Sequence, residues 1–365
     1  MLAVLLDGID GLFVTNPTNI RYLTGFIGAA PTERESFVLV TNNAVHLFTY
    51  GLYREAAEAL VKKQPLSATG VPLSLVFLGK DLPIVTALKT VAESCSLTRI
   101  GIEEKNCTVY ELERFRDKIP DVTFVPAGDR AESLRIHKRD DETALIRSAA
   151  ELTDACFAEI IRAVRPGVTE ATLVSHIESF FRHHGAENAF APIVAFGKNT
   201  ALPHYGVSHI SQTKLREQDL ILLDFGAKVE GYAADMTRMV FVGTPKPEWL
   251  AAYTAVLAAN QKALTLLADG ERNGATLDAG AREVIAEANF PVYPHSLGHG
   301  VGLEVHESPR LTVARSALLE PDMVVTVEPG TYITGEFGIR IEDLVLLTHH
   351  GITVLSHSAK ELLIV

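Results

Sequence analysis

Only three cysteines, Cys95, Cys107 and Cys156, occur in 365 residues, and no two of them stand in a CxxC spacing. An odd, sparse count excludes a disulfide framework and fits reduced thiols, as expected of a cytoplasmic protein. Basic charge is short as well: 33 Lys and Arg face 45 Asp and Glu, giving a net charge of −12. Phosphate backbones need a basic face, so general nucleic-acid binding is excluded. The one basic cluster, His137-Lys138-Arg139, runs at once into Asp140-Asp141-Glu142 and reads as a solvated helix start. No stretch approaches the roughly 18 apolar residues of a membrane span. The apolar start Met1–Leu6 meets no Lys or Arg before Arg21 and no small-residue cleavage site, so it does not read as a secretory signal. No GxGxxG follows a strand, which removes the usual nucleotide-binding loops.

The chain is long enough for two domains, and its 47% hydrophobic and 21% charged content is ordinary for a globular protein. Up to about Val125, short Val-, Phe- and Leu-rich runs (Gly11–Val14, Phe37–Val40, Val45–Phe48, Leu75–Leu78, Arg99–Ile102, Val122–Val125) read as strands. They alternate with helical spacing at Tyr53–Lys63 and Asp81–Ser94. This predicts a small α/β domain over residues 1–128. A polar stretch, Ala127–Asp141, leads into a second α/β domain, 129–365. Its pattern is helices to Val164 and His184, strands Leu220–Ala227 and Gly231–Val242, helices Glu248–Ala268 and Leu277–Asn289, then strands Met323–Glu328 and Arg340–Thr348. Helices followed by a strand pair occur twice, so two similar halves facing each other across a cleft are expected.

Acidic residues interrupt those strands where apolar ones belong. Asp224 ends Leu-Ile-Leu-Leu, Asp235 follows Tyr-Ala-Ala, Glu328 follows Met-Val-Val-Thr-Val, and Glu342 follows Gly-Ile-Arg-Ile. A buried carboxylate without a partner is costly. Asp224 and Asp235 lie symmetrically about Lys228–Gly231, so a four-residue turn there would set them face to face, which a sheet tolerates only around a cation. The bland alternative is a salt bridge, for instance to Arg238. Between the two acidic pairs lies Pro294–Arg310, with His295, His299 and His306 among Gly298, Gly300 and Gly302. Glycine permits close approach, and a histidine set among glycines reads as a group meeting something from outside the chain. Two Asp, two Glu and His299 suit a hard or borderline divalent cation. Four carboxylates are too many for one ion but suit two that share bridging ligands.

These segments resemble the pita-bread metallopeptidases, which include prolidase, aminopeptidase P and methionine aminopeptidase. The resemblance rests on Leu223–Gly226, Tyr232–Arg238, Gly298–Glu307, Thr326–Gly330, Gly338–Asp343 and Pro203–Gly206, and it spans about Ala131 to Val365. Asn19–Phe26 is similar to the Xaa-Pro-specific branch, whose members carry such an N-terminal domain. The resemblance implies a pita-bread catalytic domain with pseudo-twofold halves and a dinuclear centre of Mn, Co or Zn. Its ligands would be Asp224, Asp235, His299, Glu328 and Glu342, with Asp235 and Glu342 bridging. It further implies a bridging hydroxide that attacks the scissile carbonyl, with Glu328 as proton shuttle. His204 and His306 would stabilise the tetrahedral intermediate and hold substrate, and Arg310 would grip a proline carboxylate. Arg340 would orient ligands at the substrate site, and His295, Phe190 and Tyr332 would shape the pocket. The expected activity is Xaa-Pro dipeptidase on short proline-containing peptides, with aminopeptidase P as the alternative and a homodimer as the assembly. The segment Ile27–Ser36 is longer than the turn usual in relatives and is expected to reach into a partner's cleft. A kinase reading of Asp224-Phe-Gly226 fails, since no HRDxxxxN precedes it and no APE follows. A non-catalytic peptide-binding module on the same fold is the rival from another class.

Overall fold

The computed structural model describes residues 1–28, 33–206, 211–315 and 317–365. They form two compact units, Met1–Arg135 and Ile136–Val365.

The first unit is built on strands β1 (Gly11–Val14), β2 (Ser36–Thr41), β3 (Val45–Tyr50), β4 (Leu73–Leu78), β5 (Arg99–Ile102) and β6 (Thr123–Pro126). Among the described residues these make one mixed sheet in the order β4-β3-β2-β1-β5-β6. Helices α1 (Leu2–Leu5), α2 (Pro17–Thr24), α3 (Arg54–Lys63), α4 (Ile84–Ser94), α5 (Val109–Lys118) and α6 (Arg130–Arg135) accompany it. Sequence periodicity finds α3 and α4 but not α2 and α5, whose starts are set by their caps. Asn16 accepts from Thr18 N and Asn19 N ahead of Pro17, and Thr108 with Glu111 forms a capping box. Buried Glu103 ties the first strand to α2 by accepting from Thr15 N at 2.6 Å, Asn16 N at 2.7 Å and Asn19 Nδ2 at 2.6 Å. Of the segment Ile27–Ser36, residues 29–32 lie outside the described ones. Arg34 pairs with Glu111 at 3.1 Å and reaches the Asn106 carbonyl.

In the second unit α7 (Asp140–Ala163) packs on α8 (Glu170–His183), followed by β7 (Glu187–Asn188), β8 (Ile193–Phe196), β9 (Asp219–Asp224), β10 (Ala227–Val229), β11 (Tyr232–Ala233) and β12 (Thr237–Val242). The pattern then repeats. Helix α9 (Pro247–Ala268) packs on α10 (Gly274–Glu287), followed by β13 (Gly298–Gly300), β14 (Glu307–Leu311), β15 (Val324–Val327), β16 (Gly330–Ile333), β17 (Phe337–Arg340), β18 (Asp343–Thr348) and β19 (Gly351–Val354). Strand orders are β12-β9-β8, β11-β10-β7, β14-β13-β15-β18-β19 and β16-β17.

The core explains why the central strands read as unbroken apolar runs. Side chains alternate along a strand. Leu220, Leu222, Val325, Val327, Val345 and Leu347 join α9 and α10 in one cluster, while Ile221, Leu223, Val324, Leu344 and Leu346 join α7 and α8 in another. Both faces of these strands are therefore covered by helices, so no polar alternation survives.

The hairpin differs from expectation in its turn. Lys228 pairs with Ala233, Val229 with Tyr232, and Asp224 with Thr237 rather than Asp235. The turn has two residues, Glu230 at φ 44° and Gly231 at φ 81°, as a type I′ turn requires. A shift of two residues keeps every side chain on its original face. The strands also break at Phe225-Gly226 and Ala234–Met236, so Asp224 ends one strand and Asp235 sits in the gap before another.

Candidate metal centre

Each acidic residue leaves its strand where pairing stops. Asp224 closes β9, Asp235 precedes β12, Glu328 follows β15, and Glu342 lies between β17 and β18. His299 is the middle residue of β13, and its neighbours Gly298 and Gly300 are required by backbone rather than by a visitor. A Cβ on Gly298 would stand 1.9 Å from Thr326 O, and one on Gly300 would stand 2.1 Å from Ser308 O. The glycines let β13 lie tight between its neighbours, which corrects the reading that they make room for something from outside.

These residues line one cavity of about 490 Å³, together with Phe190, His204, His295, His306, Arg310 and Arg340. Asp235, His299 and Glu342 are all buried, and their ligand atoms lie within 4.8 Å of one another. His299 Nε2 stands 3.2 Å from Glu328 Oε1 and 3.7 Å from Asp235 Oδ2. His299 Nδ1 lies 3.2 Å from Gly300 O. A carbonyl only accepts, so Nδ1 carries a proton, and Nε2 is the ring nitrogen that faces the carboxylates.

The surrounding polar groups fix the carboxylates. Arg340 Nη2 donates to Asp224 Oδ2 at 2.5 Å and Nε donates to Thr237 Oγ1 at 3.0 Å, while Thr237 Oγ1 donates to Glu342 Oε2 at 2.7 Å. Thr326 Oγ1 donates to Glu328 Oε1 at 3.2 Å. Arg238, the salt-bridge partner offered by the sequence, turns away and pairs with buried Asp343 at 2.8 Å. Tyr332 does not line the cavity. Its hydroxyl accepts from Arg340 Nη1 at 2.8 Å and stands 3.0 Å from His295 Nε2, so it braces both from behind.

Charge crowding is severe. Burial raises the Asp224 carboxyl. Burial, then Glu342 and Asp224, pushes Asp235 well above the usual carboxylate range. Burial, then Glu328 and Asp224, does the same to Glu342. Burial also pushes Glu328 up, but the His299 hydrogen bond and charge, with His295 and Arg340, overcome it and hold this carboxyl at about 2. Partial burial, with His299 and Arg310 nearby, lowers His306 to about 4. The His306 and His299 ring centroids are 4.4 Å apart.

The donor set fits divalent cations. Asp224 Oδ1, Asp235 Oδ1 and Glu342 Oε1 are buried without a hydrogen-bond partner among the described residues. Orphaned buried carboxylate oxygens are rare without a reason, and an oxygen-rich group with one imidazole is a site for such an ion.

Sequence reasoning missed the hydroxyls. Thr326 stands two residues before Glu328, so the strand period places it beside that carboxylate, whereas Thr237 serves Glu342, 105 residues away. It also misjudged Lys138, which is buried rather than solvated.

Residues 144–349 match metallopeptidase family M24, and residues 6–137 match the creatinase/prolidase N-terminal domain. The chain is 37% identical over 359 residues to an uncharacterized peptidase of Bacillus subtilis, covering 98% of this chain and 96% of that one. An Xaa-Pro dipeptidase structure from Bacillus anthracis superposes with TM-score 0.89 at 34% identity, over 100% of this chain and 98% of its own. An X-Pro aminopeptidase structure from Thermotoga maritima gives TM-score 0.86 at 32% identity, over 100% and 99%.

Proposed function

This chain belongs to metallopeptidase family M24, and from that premise we propose that it hydrolyses Xaa-Pro bonds as a dipeptidase using two divalent ions. The observation that carries this reading is the convergence of the orphaned oxygens of Asp224, Asp235 and Glu342 on the cavity that also holds His299 and Glu328. Those five side chains would hold the ions. When bound, the ions supply an acidified water and polarise the scissile carbonyl. Mn, Co and Zn all suit such ligands.

The remaining chemistry belongs to the chain. Glu328, held deprotonated near neutral pH, takes a proton from the attacking water and passes it to the leaving proline nitrogen. His306 is neutral at that pH and donates a hydrogen bond to the oxyanion, joined by His204, which lines the same cavity. A placed donor of this kind is typically worth ~10²–10³ in rate. Phe190 and His295 flank the substrate, with His295 braced by Tyr332, whose hydroxyl Arg340 holds in turn. The Xaa-Pro amide lacks an N–H, so strand-like docking is denied and a terminus must be gripped instead. Arg310 opens into the same cavity, and its guanidinium matches a carboxylate. That favours a free proline carboxylate, and so the dipeptidase over aminopeptidase P. A cytoplasmic homodimer belongs to the same reading, checked by a solution mass twice that of one chain.

Arg310→Met tests the substrate class. It should raise KM for Ala-Pro by about 10- to 100-fold, the worth of a charge-assisted pair, and change KM for Ala-Pro-Ala little. Equal effects on both peptides would favour aminopeptidase P.

A further inference from the structure

A buried ion pair lies outside the cavity, against the segment that carries His306. Lys138 Nζ donates to Glu307 Oε1 at 2.7 Å, and the two side chains are only 2% and 6% exposed. Lys138 is anchored in turn, with Nζ donating to Ile136 O at 3.2 Å and its backbone N–H to Asp322 O at 2.7 Å. The Glu307 carboxylate lies flat on Gly302, where an added Cβ would stand 2.3 Å from Oε1. Gly302 O accepts from Ala233 N at 2.8 Å, two residues before Asp235. Glu307 also opposes Gly300 at the bulge where β13 and β14 slip register.

We propose that the Lys138–Glu307 ion pair is a positioning device that fixes the segment Gly302–His306 and thereby aims His306 at the reacting carbonyl. This rests on the hydrolase reading above. A buried ion pair is often no more stabilising than apolar residues of the same volume, so stability alone does not account for this one. Its carboxylate is in the residue next to His306, and the segment it presses on is hydrogen-bonded to the strand leading to Asp235. Charge at Glu307 fixes the near end of the segment, and Gly302 allows the close contact. Lys138 holds that charge in place without touching substrate, so it is not itself catalytic.

Lys138→Met should lower kcat by about 10- to 100-fold, the typical penalty of a misplacement near 1 Å, with KM and metal content unchanged. In a His306→Ala background the same substitution should cost less than about twofold, because the group it positions is gone. An equal loss in both backgrounds would overturn the proposal. The paired Lys138→Met/Glu307→Met variant should keep the wild-type Tm yet retain the low kcat, and full activity there would also overturn it. Amide exchange supplies a readout independent of turnover. Ala233 and Gly302, whose N–H groups donate to Gly302 O and Glu304 O, should exchange faster in Lys138→Met while Ala259 in α9 does not, and unchanged protection at Ala233 and Gly302 would contradict the account. If wild-type protein cuts no Xaa-Pro peptide, the hydrolase reading fails, whereas the exchange experiment still judges the positioning.

Discussion

At the scale of single residues, the centre is a concentration of acid that the chain alone does not neutralise. Asp224, Asp235 and Glu342 are all raised first by burial, then Asp224 by Glu328, Asp235 by Glu342 and Asp224, and Glu342 by Glu328 and Asp224. A carboxyl raised in the folded state stabilises the fold below its unfolded pKa, and that stability is lost as pH rises through the folded value. Glu328 has the opposite sign, but its contribution is complete above its ordinary value of 4.5 and is lost only toward about 2. Above about pH 6.5, where the opposite contribution of His306, held at about 4, is already complete, the raised carboxyls set the slope. Metal-free protein should lose Tm across that range, and Asp235→Asn should flatten the fall. A divalent ion should raise Tm more at pH 8 than at pH 5, since it takes the place of the protons. Metal-free Tm rising with pH, unaffected by Asp235→Asn, would contradict this. These residues were legible because charge at strand positions that are otherwise apolar is conspicuous. Thr237, Thr326 and Lys138 were not, because a hydroxyl or a lysine looks ordinary until its partner, far away in sequence, is known.

At the scale of elements, the ligands are placed by strand ends and by backbones too close for a side chain. Gly226 and Gly298 would put a Cβ 1.8 Å from Ala234 O and 1.9 Å from Thr326 O. Gly298→Ala must push β13 away from β15, so chemical denaturation should show a loss of about 1–3 kcal/mol or more. Metal affinity should fall with it, since His299 moves on the same strand. A stability change within about 0.5 kcal/mol, the usual range for a surface substitution, would refute the close approach. The long helices and the buried strands could be read from periodicity and from continuous Val, Leu and Ile. The interruptions at Phe225-Gly226 and Ala234–Met236 could not, because they depend on which backbone groups lose partners at the cavity. The facing of Asp224 and Asp235 was misread by two residues for a related reason. A two-residue turn at Glu230-Gly231 is set by left-handed backbone, and Lys228–Gly231 gives no compositional sign of which pair forms it.

At the scale of the molecule, two units fold around separate cores, and the five expected ligands all belong to the second, Ile136–Val365. Among the described residues no helix is long and apolar enough to cross a membrane. The repeat of two helices and a strand pair was visible in the order of elements alone. What order could not convey is that both helix pairs cover the same central strands, one on each face, leaving the acidic strand ends as the polar exit from the core. The central claim is that this exit is a two-ion Xaa-Pro hydrolase centre. The most direct measurement is hydrolysis of Ala-Pro against Ala-Pro-Ala by metal-stripped protein reloaded with Mn²⁺, Co²⁺ or Zn²⁺, beside the Asp235→Asn variant. The account predicts no turnover without metal, restoration at about two ions per chain with Ala-Pro preferred, and about 10²–10³-fold less activity in Asp235→Asn, the loss typical of removing a group that stabilises the transition state directly. Failure of every metal to support cleavage of either peptide, with two ions bound, would contradict it.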